Sequence, residues 1–364
     1  MKIRIIFFII FMTFASFLTS FADDEDMQTE KARVLSVQEE QVEGEFAVNS
    51  IQHVKLEIIS GQYKGKIVES DNILEGDSVY DIPVKEGEKV VVVVLEEDGQ
   101  VVAHIADYAR DSYILYLCIG FAAVLILIGR LQGIKTIATL SITIFAVFKI
   151  MLPMILSGHS PVTVAVMVAV GVTAVTILII SGFTKKSLAA AVGTSLGVII
   201  AGGLAFLVGS GVKLTGLSSE EAVMLLYIPQ GIQFQFKDLL FAGIILGALG
   251  AVMDVSVSIA SAIEEIYKAN RSLSQKELFI SGMNIGKDMM GTMSNTLILA
   301  YTGSSIPLLL LFMAYETSII KIVNLDIIAT EIVRSLSGSI GLILTIPITA
   351  AVSAFLAKRG HGEG

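Results

Sequence analysis

No tryptophan occurs in the 364 residues, cysteine occurs once, histidine four times and proline six times. Each scarcity excludes something. The lone Cys118 lies within an apolar run, so neither a disulfide framework nor a thiolate metal cluster is expected. It reads as a small buried apolar residue. His53, His104, His159 and His361 show no metal-ligand spacing, and the chain carries no H-E-x-x-H or G-x-x-x-x-G-K-[ST] pattern. No cofactor or metal is expected, and a familiar hydrolase or ATPase is disfavoured. Without tryptophan, any aromatic belt at a membrane surface must rely on tyrosine and phenylalanine. Positive charge is also short, with a net charge of −9. Residues 23–110 hold 21 acids against 8 bases, which excludes the basic patch that nucleic acid requires.

Apolar length is what the chain has in abundance. Hydrophobic residues make up 54% of it and mean hydropathy is +0.78. Several apolar runs reach the roughly 20 residues that cross a bilayer. Lys2 and Arg4 precede an apolar stretch ending in Ser20-Phe21-Ala22, the pattern of a secretory signal (1–22) cleaved after Ala22, with an uncleaved anchor as the alternative. Residues 23–110 then read as an exported domain. Asp23 to Glu30 is expected to be disordered. Segments 54–59 and 63–69 flank Ser60-Gly61, and 90–95 and 101–106 flank Glu97-Asp98-Gly99. Both are hairpin signals, and they predict a small β-barrel or sandwich, the OB kind included. A binding module and a solvated cap are both open for it.

From residue 111 to 358 the pattern predicts an α-helical polytopic bundle of seven spans, near 112–129, 136–156, 162–182, 188–208, 239–261, 295–314 and 336–356. A short tail, 359–364, follows. Connections on one side carry ten Lys and Arg, those on the other five. The richer side is expected in the cytoplasm, leaving the β domain extracytoplasmic and the C-terminus cytoplasmic. Connections 213–237 and 315–334 are apolar enough to be interfacial or re-entrant elements.

The region 238–295 concentrates the polar signals. Gly243, Gly247, Gly250, Asp254, Ser258 and Ser261 recur every three or four residues, forming one helical stripe. Glycines at that spacing allow close helix packing. The aliphatic remainder is expected to face lipid. An acid near bilayer depth costs about 2.5–3.5 kcal/mol on insertion scales, so Asp254 needs a partner, a proton or water. Asn284, Asp288, Thr292 and Asn295 form a second stripe further on. A break within 282–291 would free backbone groups to join a site. Lys149, about 10 Å inside its span, is read as snorkelling.

GALGAVMDVSVSIAS, GKDMMGTMSNTLILAYTGSSIPLL and GSIGLILTIPITA resemble the YibE/F family of bacterial multipass membrane proteins, from about Arg110 to the C-terminal end. The resemblance implies an integral protein of the bacterial cell envelope and no particular reaction. Because that name covers two related proteins, it also implies a partner of similar architecture, alongside a homo-oligomer.

The residues thus suggest a plasma-membrane protein that transports or senses a small solute or ion between spans five and six. Asp254 would be the coupling or coordinating acid, with Ser258, Asp288, Thr292 and Asn295 as further ligands. Two rivals stand beside it. Asp254 could be a structural acid bonded to neighbouring hydroxyls, making the chain a non-transporting envelope scaffold or complex subunit whose exported domain binds. An intramembrane aspartyl protease would need two deep acids, and only Asp254 is clearly deep, so enzyme activity is disfavoured.

Overall fold

The computed structural model describes residues 28–41, 50–76, 80–97, 99–228, 234–316 and 318–359. The expected signal and the last five residues of the tail lie outside them. The chain divides into two compact units, meeting between Arg130 and Leu131.

The first unit is built on five antiparallel strands: β1 (Gln28–Gln41), β2 (Ser50–Ile58), β3 (Ile67–Leu74), β4 (Lys89–Glu97) and β5 (Gln100–Tyr108). Their order is β3-β2-β1-β4-β5 in one sheet, and β3 approaches β5 without pairing, so the sheet is a half-barrel. A two-sheet sandwich is thereby excluded. Both predicted hairpins form, β2 with β3 and β4 with β5. Alternating inward residues build the core, among them Val34, Val54, Leu56, Ile58, Val90, Val92 and Val94. A register shift between Val34 and Ser36 lets long β1 serve both β2 and β4.

Strand β1 starts at Gln28, which corrects the expectation of disorder as far as Glu30. The reason is visible at the Ser60-Gly61 turn. Ser60 Oγ donates to the Glu30 carboxylate over 2.5 Å and accepts from the Lys31 amide over 2.7 Å. Gly61, at φ +64°, leaves room for that carboxylate where a Cβ would sit. Buried Gln52 fastens the β3–β4 connection, accepting from the Val84 amide at 3.0 Å and from Asn72 Nδ2 at 3.1 Å. The same unit includes α1 (Asp111–Gly129), which has no buried residue and is tied to β1 by Lys31–Asp111 at 2.7 Å.

The second unit is helical. It comprises α2 (Leu131–Leu156, with a π turn at Val147–Met151), α3 (Pro161–Ser181), α4 (Lys185–Gly211), α5 (Glu220–Met224), α6 (Phe236–Ala269), α7 (Gln275–Ser304), α8 (Ile306–Ala314), α9 (Ile319–Val323) and α10 (Asp326–Lys358). Helices α4, α6 and α10 form the centre; α7 packs on α10 and α6, α3 on α6 and α4, and α2 on α3. At one end Lys186 pairs with Glu264 at 3.2 Å. At the other, Thr215 donates to the Asp326 carboxylate at 2.6 Å.

Six helices (α1, α2, α3, α4, α6 and α10) are individually long and apolar enough to cross a membrane. The expected span 295–314 is not one straight helix. Helices α7 and α8 qualify only together and are bent by 60°, because Pro307 in the first turn of α8 cannot continue the preceding helix. Residues 282–291 lie in unbroken α7, so no backbone groups are freed there, and the bend falls at Ser305. A capping box of Ser274 and Glu277 starts α7. Connections 213–237 and 315–334 yield short α5 and α9 without buried residues, and α10 begins ten residues before its predicted span.

Candidate functional site: two faces of α6

Helix α6 is 34 residues long, about 50 Å at 1.5 Å per residue, with Asp254 about 27 Å from its start. Its faces are turned opposite to expectation. The aliphatic side (Phe241, Ile244, Ile245, Val252, Val255, Ile259 and Ile263) is buried. Gly243, Gly247, Gly250, Asp254 and Ser258 are exposed on the far side. The aliphatic face is therefore not the lipid face. It packs because α4 and α10 present residues shaped to receive it.

That inner junction has its own polar character. A Cβ on Gly193 would meet Thr349 and Ser256, and one on Gly197 would meet Thr345 and Val252. Thr345 Oγ1 donates to the Gly193 carbonyl at 3.2 Å, and Thr349 Oγ1 to Ser256 Oγ at 3.4 Å. Gly341 sits against Ala201 and the Gly197 carbonyl, Gly338 against Leu297. The buried hydroxyls are thus threonine knobs in glycine sockets, a packing seam between α4, α6 and α10.

The outer stripe has almost no such complement. A Cβ on Gly243 or Gly250 would touch nothing within 4 Å, whereas Gly247 is covered by the Tyr301 hydroxyl of α7. Of the three stripe glycines, then, Gly247 alone meets a neighbour among the described residues. Asp254 and Ser258 make no hydrogen bond or ion pair among the described residues. On α7, Asn284, Asp288, Thr292 and Asn295 are likewise exposed. Thr292 Oγ1 donates to its own helix, at the Met289 carbonyl, over 3.0 Å.

The two stripes belong to neighbouring helices in one hairpin. Gly282 meets Ile263 and Tyr301 meets Gly247, so α6 and α7 run antiparallel in a register that sets Asp254 level with Thr292 to Ser294. The structure brings the stripes to the same depth but on the outside of the bundle. It does not enclose them. Lys149 is exposed on the π turn of α2, and no contact joins it to Asp254.

Sequence patterns are decisive for kinship. Residues 117–359 match the family model described as YibE/F-like protein, and residues 25–108 match the YibE/F family N-terminal domain. The chain belongs to the YibE/F family. The two matches meet near the start of α1, so the half-barrel and the helical part of this YibE/F chain are each family features. No curated protein and no solved structure matches it.

Proposed function

We propose that this YibE/F chain is a subunit of a bacterial plasma-membrane assembly in which a second copy covers the outer faces of α6 and α7. The seam so formed handles a proton or small cation at Asp254. The supporting observation is that an acid halfway along a membrane-length helix has no partner among the described residues and stands on a face where Gly243 and Gly250 are bare. Intramembrane acids face protein or water and find a partner there. A second copy supplies what the stripe needs, since glycines permit close approach and the Ser258 and Ser261 hydroxyls of one copy can donate to Asp254 of the other. Asp288 and Asn295 would line the same seam one helix away.

The excess of Lys and Arg in the connections on one side supports a cytoplasmic α6–α7 turn and C-terminus. An exported half-barrel behind a cleaved signal fits that orientation. The scaffold reading keeps one observation of its own, because the inner junction of α4, α6 and α10 is close-packed.

Proteoliposomes holding a pH-sensitive dye test the reading with proton and monovalent-cation gradients. Flux in the parent that falls at least about tenfold in Asp254→Asn, with the oligomer intact, is the expected result. Equal flux in both removes the coupling role, and a stoichiometric second protein co-purifying without flux supports the scaffold.

A further inference from the structure

Tyr301 of α7 reaches across to α6 and sets its hydroxyl where a Cβ on Gly247 would sit. Any side chain at Gly247 would displace it. The hydroxyl makes no hydrogen bond among the described residues, so the ring, and not the oxygen, keeps it there. Gly247 lies in the stripe seven residues before Asp254, about 10 Å along the helix. It separates bare Gly243 from bare Gly250. Tyr301 therefore stands between Asp254 and the end of the bundle where α6 begins.

What holds the ring is a charged pair on α10. The Arg334 guanidinium lies over it, 5.7 Å from the centroid, within cation–π range. Arg334 Nη1 donates to Glu331 Oε1 at 2.8 Å, and the second Glu331 oxygen is closed off from solvent with no donor. Separating the pair would strand a poorly solvated charge, which fixes the guanidinium and with it the ring. The backbone beside Tyr301 is built to bend. Ser304 Oγ donates back to the Tyr301 carbonyl at 2.7 Å, a bond that favours bending, and Pro307 follows at the 60° elbow between α7 and α8. A side chain pinned at its tip beside a bend is placed to swing once the pin is released.

We infer that Tyr301 gates access to Asp254 from the end of the bundle where α6 begins, and that the Glu331–Arg334 pair is its latch. This rests on the second-copy reading above, in which the stripe is roofed. With the phenol down on Gly247, water and ions arriving from that end stop one turn short of Gly250. With it lifted, the bare glycines leave them room to reach Asp254.

Thiol labelling of the full-length chain in membrane vesicles, right-side-out and inverted, tests this without relying on flux. In a Cys118→Ser background, Gly243→Cys lies before the gate and Gly250→Cys behind it, and each is treated with a membrane-impermeant methanethiosulfonate. A closed gate leaves the open state roughly 0.1–10% populated, so Tyr301→Ala should speed labelling of Gly250→Cys at least about tenfold from the side where α6 begins. Gly243→Cys should label as before. Arg334→Leu should act like Tyr301→Ala, and Arg334→Lys, which keeps a cation for the ring and for Glu331, should not. If Arg334→Leu fails to fold, Tyr301→Ala decides. Labelling of Gly250→Cys that is equally fast with and without Tyr301, or a parallel rise at Gly243→Cys, would overturn the gate. The flux of Asp254→Asn separates the two readings: unchanged flux with gated labelling removes the coupling role and keeps the gate, whereas lost flux with ungated labelling removes the gate alone.

Discussion

Two glycine-lined helix faces can be compared in this molecule. On α4, Gly193 and Gly197 lie under Thr349 and Thr345 of α10 and are sealed. On α6, Gly243 and Gly250 lie under nothing, and an acid stands one turn beyond them. Glycine spacing announces a close helix approach in both. It does not say which chain the approaching helix belongs to. The inner face is answered within the chain, by threonines at matching spacing, and the outer face is left bare at Gly243 and Gly250 among the described residues.

The comparison breaks most sharply at its glycines. Gly197→Leu drives a side chain into Thr345 and Val252, and overpacking of this kind costs roughly 1–3 kcal/mol or more. We expect loss of the folded monomer, read as a collapsed thermal transition in detergent. Gly243→Leu should leave that transition unchanged and shift the oligomer toward monomer on size exclusion. Equal damage from both would erase the distinction between the faces.

Asp254→Leu comes next. Removing an interhelical hydrogen bond in a membrane costs about 0.6–2 kcal/mol per bond, so dimer affinity measured by energy transfer in vesicles should fall roughly three- to thirtyfold. The monomer should melt as before. A destabilised monomer would place Asp254 in the chain's own packing.

Inside, Thr349→Val keeps the knob and removes its hydrogen bond to Ser256, at 3.4 Å already a long one. About 0.6 kcal/mol or less of stability should be lost, with no change in association. A loss as large as that of Gly197→Leu would mean that hydrogen bonding, rather than shape, holds the inner seam.

How much of this could be read from residues alone varies with the solvent each segment meets. The half-barrel was legible because water punishes an apolar face, so alternation and glycine turns located four of its five strands. Only β1 went unread, its start hidden in an acidic stretch. The α6 stripe was legible as a stripe, and its direction was not. Lipid is as apolar as leucine, so nothing in periodicity tells which side of a membrane helix turns inward. The direction is set by Thr345 and Thr349, residues about a hundred positions away. Glu331 and the early start of α10 were missed because they fall in 315–334, a connection read as an interfacial or re-entrant element. Ile328, Ile332 and Leu336 at helical spacing, with Arg334 three residues after the acid, were the signal that α10 begins earlier.

The half-barrel offers the smallest effect and a calibration in water. His53 is held between Asp71 at 2.6 Å and Glu40 at 3.2 Å, and the hydrogen bonds to these two carboxylates raise its pKa above the ordinary imidazole value. The folded state therefore binds this proton more tightly than the unfolded state does. The stability it supplies is complete below the unfolded value and fades as pH rises through the raised one. Protection factors in β2 and β3 of the full chain, corrected for the intrinsic pH dependence of amide exchange, should fall slightly between about pH 6 and about pH 8, and His53→Gln should flatten that dependence. All three groups are exposed, so the change should be small compared with any at the membrane seams.

Disulfide trapping in native membranes tests the central claim most directly. In a Cys118→Ser background, Ser258→Cys and Gly250→Cys should each give a covalent dimer under mild oxidation, because matching positions meet across a two-fold seam. Leu207→Cys, exposed on α4 away from the stripe, should remain monomeric. If the two stripe positions stay monomeric, or crosslink no better than Leu207→Cys, the outer face of α6 is not covered by a second copy.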